Sequence, residues 1–345
     1  MKIFRNLFLI LAASTILFSC ISTDDVGGGG TGGEGVNILA NLYISNNVDG
    51  DITIYDFTAG AGIFFRTLLT GSASAEGIYH DKETDQLVQA SASQSVLNAY
   101  QNVSNIENGN TVNPIFSSGA DFDSPHDIAV NGNVFVVSDN SDLDNDTTTD
   151  EGRFFIYTKS DTGFTLRNTV TVDFAVWGIE FVGNDLFAVV DKTADIVSFS
   201  NFASTNTTDA TIVPTKRISI AGLTRTHGIT YDGITMVLTD IGDPSSDSDG
   251  GFHIINNFLA KFADLNDGET LLINQQVRVS GSFTSLGNPV SVAFDDNTRT
   301  VFIAERLNNG GRILFFNNVE AGGNLAPSFA SDLSGASSLY FENVN

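Results

Sequence analysis

The stretch Pro125–Val130, with the sequence PHDIAV, is echoed later in the chain by Thr226–Tyr231, THGITY. Weaker copies of the same phrase begin at four other places, which are Glu76, Trp177, Pro289 and Ser337. Most copies are followed by a second apolar stretch that ends near an acidic residue. Successive copies are roughly fifty residues apart, which is the repeat length of four-stranded propeller blades. Six copies therefore predict six blades.

The segments between the copies favour strands over helices. Apolar and polar residues alternate in Asp51–Tyr55, Thr169–Val172 and Lys216–Ile220, and no segment keeps an apolar rhythm at helical spacing. The phrase itself is predicted to form the innermost strand of each blade. A second strand such as Val134–Val137 and a third strand that follows a glycine, such as Gly152–Tyr157, are predicted next, before an irregular outermost strand.

Both ends of the chain are predicted to share one blade. The first unit begins at Asn41–Ser45, which matches a second strand, so its inner strand is missing at the N-terminus. Ser338–Phe341 can supply that strand from the C-terminus. Closure of this kind removes the exposed edges that a linear array would leave. We therefore predict an all-β, six-bladed β-propeller over residues 37–345, closed by pairing of the N- and C-terminal strands.

The order of inner strand, acidic turn, glycine and third strand resembles the six-bladed propellers of the NHL and TolB-like type. The resemblance covers residues 37–345. It is informative about the fold and says little about activity, because one fold carries many functions.

Composition narrows the classes of partner. The 345 residues include 41 acidic and 16 basic side chains, for a net charge of −25. The negative electrostatic field of such a chain argues against nucleic acid and against an anionic membrane surface as binding partners. It favours cations as partners. The single cysteine excludes an internal disulfide. Nucleophile-elbow, zinc-helix and P-loop motifs are absent from the sequence.

The N-terminal sequence predicts where in the cell the protein is located. Lys2 and Arg5 precede the apolar run Leu7–Phe18, which is typical of a signal peptide over residues 1–19. Cys20 stands where a bacterial lipobox has its lipidated residue, with a buried free thiol as the alternative. A glycine-rich tether completes residues 20–36. Ile21–Asp25 resembles an acidic export signal, so we expect a surface-exposed lipoprotein of the bacterial outer membrane that contacts the membrane through its lipid anchor only.

Two columns of residues converge if the blades close into a ring. The first column lies at the start of the inner strands and contains Glu76, His126, Trp177, His227, Pro289 and Ser337. The second follows the second strands and contains Asn46, Asp139, Asp191, Asp240 and Glu305. The usual role of such acids is to cap turns by accepting backbone N–H bonds, and repeated histidines often bond between blades. Trp177 either forms the floor of a ligand site or packs inside the channel.

The resemblance implies a different role for the same residues. In calcium-dependent lactonases and gluconolactonases, a ring of Glu, Asn and Asp at the channel mouth binds Ca²⁺, and a nearby histidine acts as base. The matching positions here are Glu76, His126, Asp139, Asp191, His227 and Asp240.

An acidic insertion between the second and third strands of one unit suggests a calcium loop. Its oxygen donors Asn140, Asp142, Asp144, Asp146, Thr148 and Glu151 have the spacing of an EF-hand loop. Asn145 replaces the turn glycine of that motif, and no flanking helices are predicted. A solvated acidic loop is the alternative. Ca²⁺ is the one cofactor that the sequence suggests.

These observations favour a non-enzymatic propeller on the bacterial envelope that binds an unidentified ligand or envelope protein at the mouth carrying His126 and His227. The alternative is a Ca²⁺-dependent hydrolase of lactonase type that uses the same mouth. A third interpretation is a structural surface protein that calcium only stiffens.

Overall fold

The computed structural model describes residues 40–57, 62–146 and 148–343. The predicted signal peptide, Cys20 and the glycine-rich tether lie outside these residues. In the described part, six sheets, whose long strands pair antiparallel, form the six predicted blades. No helix in that part is both long and apolar enough to cross a membrane.

The blades are numbered along the chain, and each is given from its inner strand outward. Blade 1 comprises Ala336–Asn343, Ala40–Asn46, Ile52–Asp56 and Phe64–Leu68. Blade 2 comprises Ala75–Asp81, Gln86–Ser91, Val96–Gln101 and Phe116–Ser117. Blade 3 comprises Pro125–Asn131, Val134–Asp139, Gly152–Ser160, Gly163–Val172 and Ala210–Thr211. Blade 4 comprises Val176–Val182, Asp185–Val190, Asp195–Phe199, Lys216–Ile220 and Thr270–Leu271. Blade 5 comprises Ile229–Tyr231, Met236–Asp240, Gly251–Ile255 and Val277–Ser280. Blade 6 comprises Pro289–Asp295, Thr300–Glu305, Arg312–Phe316 and Phe329–Asp332.

The expectation of four strands in every blade is wrong for blades 3 and 4. Each gains a fifth, two-residue strand that pairs in parallel with its outermost long strand. These short strands belong to the connections that run outside the ring. The same connections contain the helices Phe202–Thr205 and Phe258–Asp264. Short 3₁₀ turns lie at Val103–Asn105, Ile273–Gln275, Asn308–Gly310 and Val319–Ala321.

The second strands are buried on both faces because each blade packs between two neighbours. Every residue of Gln86–Ser91 and of Thr300–Glu305 is buried. Apolar side chains from adjacent blades join in shared clusters, one of which brings together Phe154 of blade 3 with Val176 and Phe199 of blade 4. Burial on both faces favours continuous apolar runs in these strands rather than alternation.

Ring closure is confirmed. The C-terminal strand pairs antiparallel with Ala40–Asn46 from the N-terminal part of the propeller. The same strand holds blade 2, because the Ser338 hydroxyl accepts the Gly77 N–H at 2.7 Å. His80 Nδ1 lies 2.8 Å from Glu342 Oε2 in a buried polar contact between these blades.

The six inner strands surround a central channel of about 310 Å³. Close approach of these strands explains the glycine that follows Glu76, Trp177 and His227 in three of the copies. The N–H of Gly178 donates to the carbonyl of His227 on the next blade at 3.0 Å. A Cβ atom at Gly178 would lie 2.3 Å from that oxygen, so the position excludes any side chain.

Candidate functional site at the channel mouth

Three aromatic rings from successive blades form a continuous stack at one mouth of the channel. His126 lies parallel to Trp177, with ring centroids 3.6 Å apart. His227 lies against the other face of the indole at 3.5 Å. Because both faces of Trp177 are covered, the indole packs within the mouth and is not a flat floor for a ligand. The side chain stays half-buried, so part of it remains open.

One ring nitrogen of each histidine lies within hydrogen-bond distance of a carboxylate. Glu76 Oε2 lies 3.0 Å from His126 Nδ1, and the Asn47 amide donates to the other Glu76 oxygen. On the other side of the stack, Asp191 Oδ1 lies 2.9 Å from His227 Nε2. The predicted mouth residues of blades 2 to 5 therefore do come together.

Arg225 completes the second carboxylate pair. Its Nε and terminal nitrogen donate to the two oxygens of Asp191 at 2.7 and 3.0 Å. This two-pronged contact is the strong form of an arginine–carboxylate pair. Asp191 thus differs from the rest of the acidic column, since it accepts hydrogen bonds from Arg225 and contacts His227 at the mouth.

The two histidines have opposite electrostatic environments. Burial disfavours the charged form of His126, but the hydrogen bond and charge of Glu76 outweigh burial and raise the pKa of His126. The cationic ring is also favoured by the face of Trp177 beneath it. Burial lowers the pKa of His227 to about 4, with Arg225 opposing its protonation. The pKa values of the two rings are therefore shifted in opposite directions, and His227 is neutral at neutral pH.

The pKa values of the two carboxylates, Glu76 and Asp191, are both lowered. Burial raises the pKa of Glu76, but the hydrogen bond and charge of His126 outweigh burial, so this pKa lies below its usual value. The pKa of Asp191 is held well below its usual range, because contacts with His227 and Arg225 outweigh the effect of burial. Both carboxylates are ionised at neutral pH.

Several buried polar atoms at this mouth have no hydrogen-bond partner within the described part of the chain. They are His227 Nδ1, Thr226 Oγ1, Asn288 Oδ1 and His126 Nε2, although the Asn140 side chain lies close enough to His126 to help raise its pKa. Solvent reaches only 9% of His126 and 5% of His227. Buried polar groups are nearly always paired in folded proteins, so their concentration here requires an explanation.

The acidic column mostly caps turns. Asp139, Asp240, Glu305 and Asn46 each accept two or more backbone N–H bonds from the loops beside them. The turn-capping interpretation therefore describes four of the five members. No group of three or more acidic, histidine or cysteine ligands converges at the mouth among the described residues.

One member of the first column is placed wrongly. Pro289 pairs with Glu305 in the register that Pro125 has in its own blade. The position of His126 is therefore taken in blade 6 by Val290. The error arose because a proline stands before this position in blades 3 and 6 but not in the other blades.

The predicted calcium loop converges in part. Ligand atoms of Asp142, Asp144 and Glu151 lie within 4.8 Å of one another. Asp146 instead accepts the backbone N–H of Thr148 at 3.0 Å. The side-chain amide oxygen of Asn140 accepts a hydrogen bond from the hydroxyl of Ser124 at 3.1 Å. Calcium binding by the three converging carboxylates stays a prediction.

Sequence reasoning missed two acids inside the channel. Asp127 and Glu180 both line it. Burial raises the pKa of Asp127 to about 7 and that of Glu180 to about 8. Asp127 also joins two blades, because its carboxylate accepts the N–H of Ile179 at 3.0 Å. Equivalent positions in other blades hold unlike residues, so the repeat contained no signal for either acid.

Comparison with known proteins supports the fold and leaves the function open. No family model and no curated protein sequence matches the chain. A Bacteroides fragilis protein provisionally named 6-phosphogluconolactonase is similar in structure, with a TM-score of 0.57, 10% identity, and coverage of 90% of this chain and 100% of that one. A similarly named Bacteroides uniformis structure has a TM-score of 0.55, 12% identity, and coverage of 89% and 100%. A chain of a nidogen–laminin complex has a TM-score of 0.57, 12% identity, and coverage of 88% and 98%.

Proposed function

We propose that this chain is a lipid-anchored protein of the bacterial envelope whose propeller binds a ligand or partner at the mouth formed by Glu76, His126, Trp177 and His227. The observation that carries the proposal is a pair of buried ring nitrogens, one on each side of Trp177, that form no hydrogen bond of standard geometry with the described residues. A bound molecule would supply the hydrogen bonds that this part of the structure leaves unmade.

The anchor is proposed from the sequence around Cys20. Lipidation requires this thiol, so Cys20→Ser should move the protein from the membrane fraction to the soluble fraction and abolish labelling with radioactive palmitate. Retention of both membrane association and label in the variant would contradict the proposal.

Binding is favoured over catalysis by the arrangement of the acids. The resemblance to lactonases implies a ring of ion-binding carboxylates at the mouth. Here Asp139, Asp240 and Glu305 are engaged with backbone N–H groups, and Asp191 is engaged with Arg225. A panel of lactones and esters tests the alternative. Calcium-dependent turnover that disappears in His126→Ala would replace binding with hydrolysis.

Native mass spectrometry of protein purified from its own cells tests binding directly. We expect a bound molecule in the wild type that is lost in His126→Ala. The matched control is Asp81→Asn, since Asp81 caps the turn at the far end of the inner strand that begins beside Glu76. Undiminished binding in His126→Ala would place the site elsewhere and contradict the proposal.

A further inference from the structure

A second cavity lies between blades 2 and 3, at the end of the propeller opposite the mouth. Its volume is about 260 Å³. The turns that follow the inner strands of the two blades line it, together with the turn at Ser160 and Asp161 of blade 3. Asn133, Ser160 and Asp161 are exposed, so the cavity is open to solvent. It is small for a ligand pocket and suits a molecule of the size of one sugar ring.

A buried hydrogen-bond acceptor in the cavity wall has no partner. Gln101 donates its Nε2 to the carbonyl of Thr84, which can only accept, so the amide oxygen of Gln101 faces Gln86. Gln86 Nε2 donates to that oxygen at 3.0 Å. The two bonds fix the Gln86 amide and leave its Oε1 without a partner among the described residues, although only 6% of Gln86 is exposed. An unpaired buried acceptor costs free energy, so the cavity requires a hydrogen-bond donor.

Two side chains of opposite charge in the cavity lining are also unpaired. The half-buried amine of Lys159 and the exposed carboxylate of Asp161 make no hydrogen bond or ion pair with the described residues. The other carboxylate in the lining, that of Asp81, already accepts the Glu83 N–H and the hydroxyl of Thr84. The cavity therefore offers a ligand both a donor and acceptors.

An aromatic ring forms part of the same wall. Tyr79 is half-buried and packs edge to face against Phe135, with ring centroids 5.6 Å apart. Burial and the charge of Asp81 raise the pKa of Tyr79 to about 12, so the phenol keeps its proton at neutral pH. Apolar ring surface beside a few placed polar groups is typical of small-molecule pockets.

Ions fit these groups less well than a neutral molecule does. No three metal-ligating groups converge at this cavity among the described residues. An anion would meet the carboxylates of Asp81 and Asp161, and a cation would meet the amine of Lys159. A hydroxyl group can both donate and accept. Several hydroxyl groups on one molecule can therefore donate to Gln86 and Asp161 and accept from Lys159.

We propose that the cavity between blades 2 and 3 binds a small neutral polyol, with the chemistry of one sugar unit, through Gln86, Lys159 and Asp161. The sugar unit is either a free monosaccharide or the end of a glycan. This site is independent of the function proposed for the mouth, because no residue of the mouth lines it.

Small probes identify the class of ligand. Glucose, galactose and mannose serve as polyols, while cyclohexanol, glycine, methylammonium and acetate represent an apolar alcohol, a zwitterion, a cation and an anion. Calorimetry and saturation-transfer NMR measure binding to the wild-type protein. We expect at least one monosaccharide to bind about tenfold or more tightly than each of the other four probes. A trisaccharide of that sugar that binds equally well would indicate the end of a glycan, and one that does not bind would indicate the free monosaccharide.

Variants assign the contacts. Lys159→Gln and Asp161→Ala should each weaken the sugar about threefold or more without lowering the melting midpoint. The matched control is Lys82→Gln, an exposed lysine on the neighbouring turn that does not line the cavity. It should keep wild-type affinity. Gln86→Leu should abolish binding, and the Lys159 and Asp161 variants decide the question if this buried change prevents folding.

The mouth offers an independent reference. Trp177, the one tryptophan in the chain, lies at the opposite end of the inner strands, so the sugar should leave its emission unchanged. His126→Gln should bind the sugar as the wild type does. Loss of sugar binding in His126→Gln would move the sugar to the mouth and overturn the inference.

Three further results would overturn it. They are the failure of all three monosaccharides to bind, equal binding of cyclohexanol or of a charged probe, and wild-type sugar affinity in both Lys159→Gln and Asp161→Ala. None of these results affects the proposed function, which depends on a different molecule, the one that His126→Ala loses.

Discussion

Trp177 and His227 lie face to face at the channel mouth, with ring centroids 3.5 Å apart and ring planes inclined by 7°. The backbone bond from Gly178 to the carbonyl of His227 holds the two strand starts in this register. A change of charge or contact at either flanking histidine therefore acts directly on the indole. The mouth contains its own spectroscopic reporter.

His227 should make the protein sensitive to acid. Its pKa falls from 6.5 to about 4 on folding because the ring is buried. The unfolded chain thus takes up a proton before the folded one as pH falls from about 6.5 toward 4, and stability drops. The loss should be on the order of 2 kcal/mol by pH 5. Urea unfolding at pH 7 and pH 5 measures it. His227→Gln should flatten this part of the profile, and an unchanged slope would contradict the assignment.

Glu180 should have the opposite effect at alkaline pH. Its pKa rises from 4.5 to about 8 because the channel buries it. A folded-state pKa above the unfolded value stabilises the protein at low pH, and that contribution is lost as pH rises through 8. Glu180→Gln should raise the free energy of unfolding at pH 8.5 by on the order of 1 to 2 kcal/mol, after allowance for screening in the channel. The exposed carboxylate of Asp161 offers a control, since Asp161→Asn should change little. Destabilisation by Glu180→Gln would contradict the argument.

The C-terminal strand should be essential to the whole ring. Deletion of residues 338–345 removes the inner strand of blade 1, including the buried Leu339 and the Glu342 contact to His80. It also exposes the edge of Ala40–Asn46. We expect the melting midpoint to fall by roughly 15 °C or more, or folding to fail. Deletion of residues 344–345 alone is the control. An equal midpoint for both deletions would refute closure by this strand.

Calcium binding can be tested on the loop where Asp142, Asp144 and Glu151 converge. Three exposed or half-buried carboxylates suit a weak site, with a Kd on the order of 10⁻⁴ to 10⁻³ M. Calorimetric titration of metal-stripped protein measures it, and Asp144→Asn should abolish the heat of binding. Asp243→Asn, in another acidic loop, should leave it intact. No binding to the wild type would leave the loop as a solvated acidic segment.

The repeat made much of the architecture predictable. Asn41–Ser45 matched a second strand and Ser338–Phe341 an inner one, so closure followed from the order of the phrases. The equivalence of His126 and His227 likewise placed both at one mouth. Their stacking on Trp177 was not predictable, because position along a strand does not specify the rotamer or the distance between blades. Glu180 was not predicted for another reason. Its equivalent in blade 5 is Thr230, and an acidic residue that occurs in only one blade gives no repeated pattern in the sequence.

The most direct test of the mouth as a binding site is the emission of Trp177, titrated with the small-molecule fraction of the cells that make the protein. We expect a saturable change in emission for the wild type that His126→Gln abolishes and Asp81→Asn preserves. A bound molecule that leaves the emission of Trp177 unchanged, or that binds His126→Gln equally well, would show that the mouth is not the site.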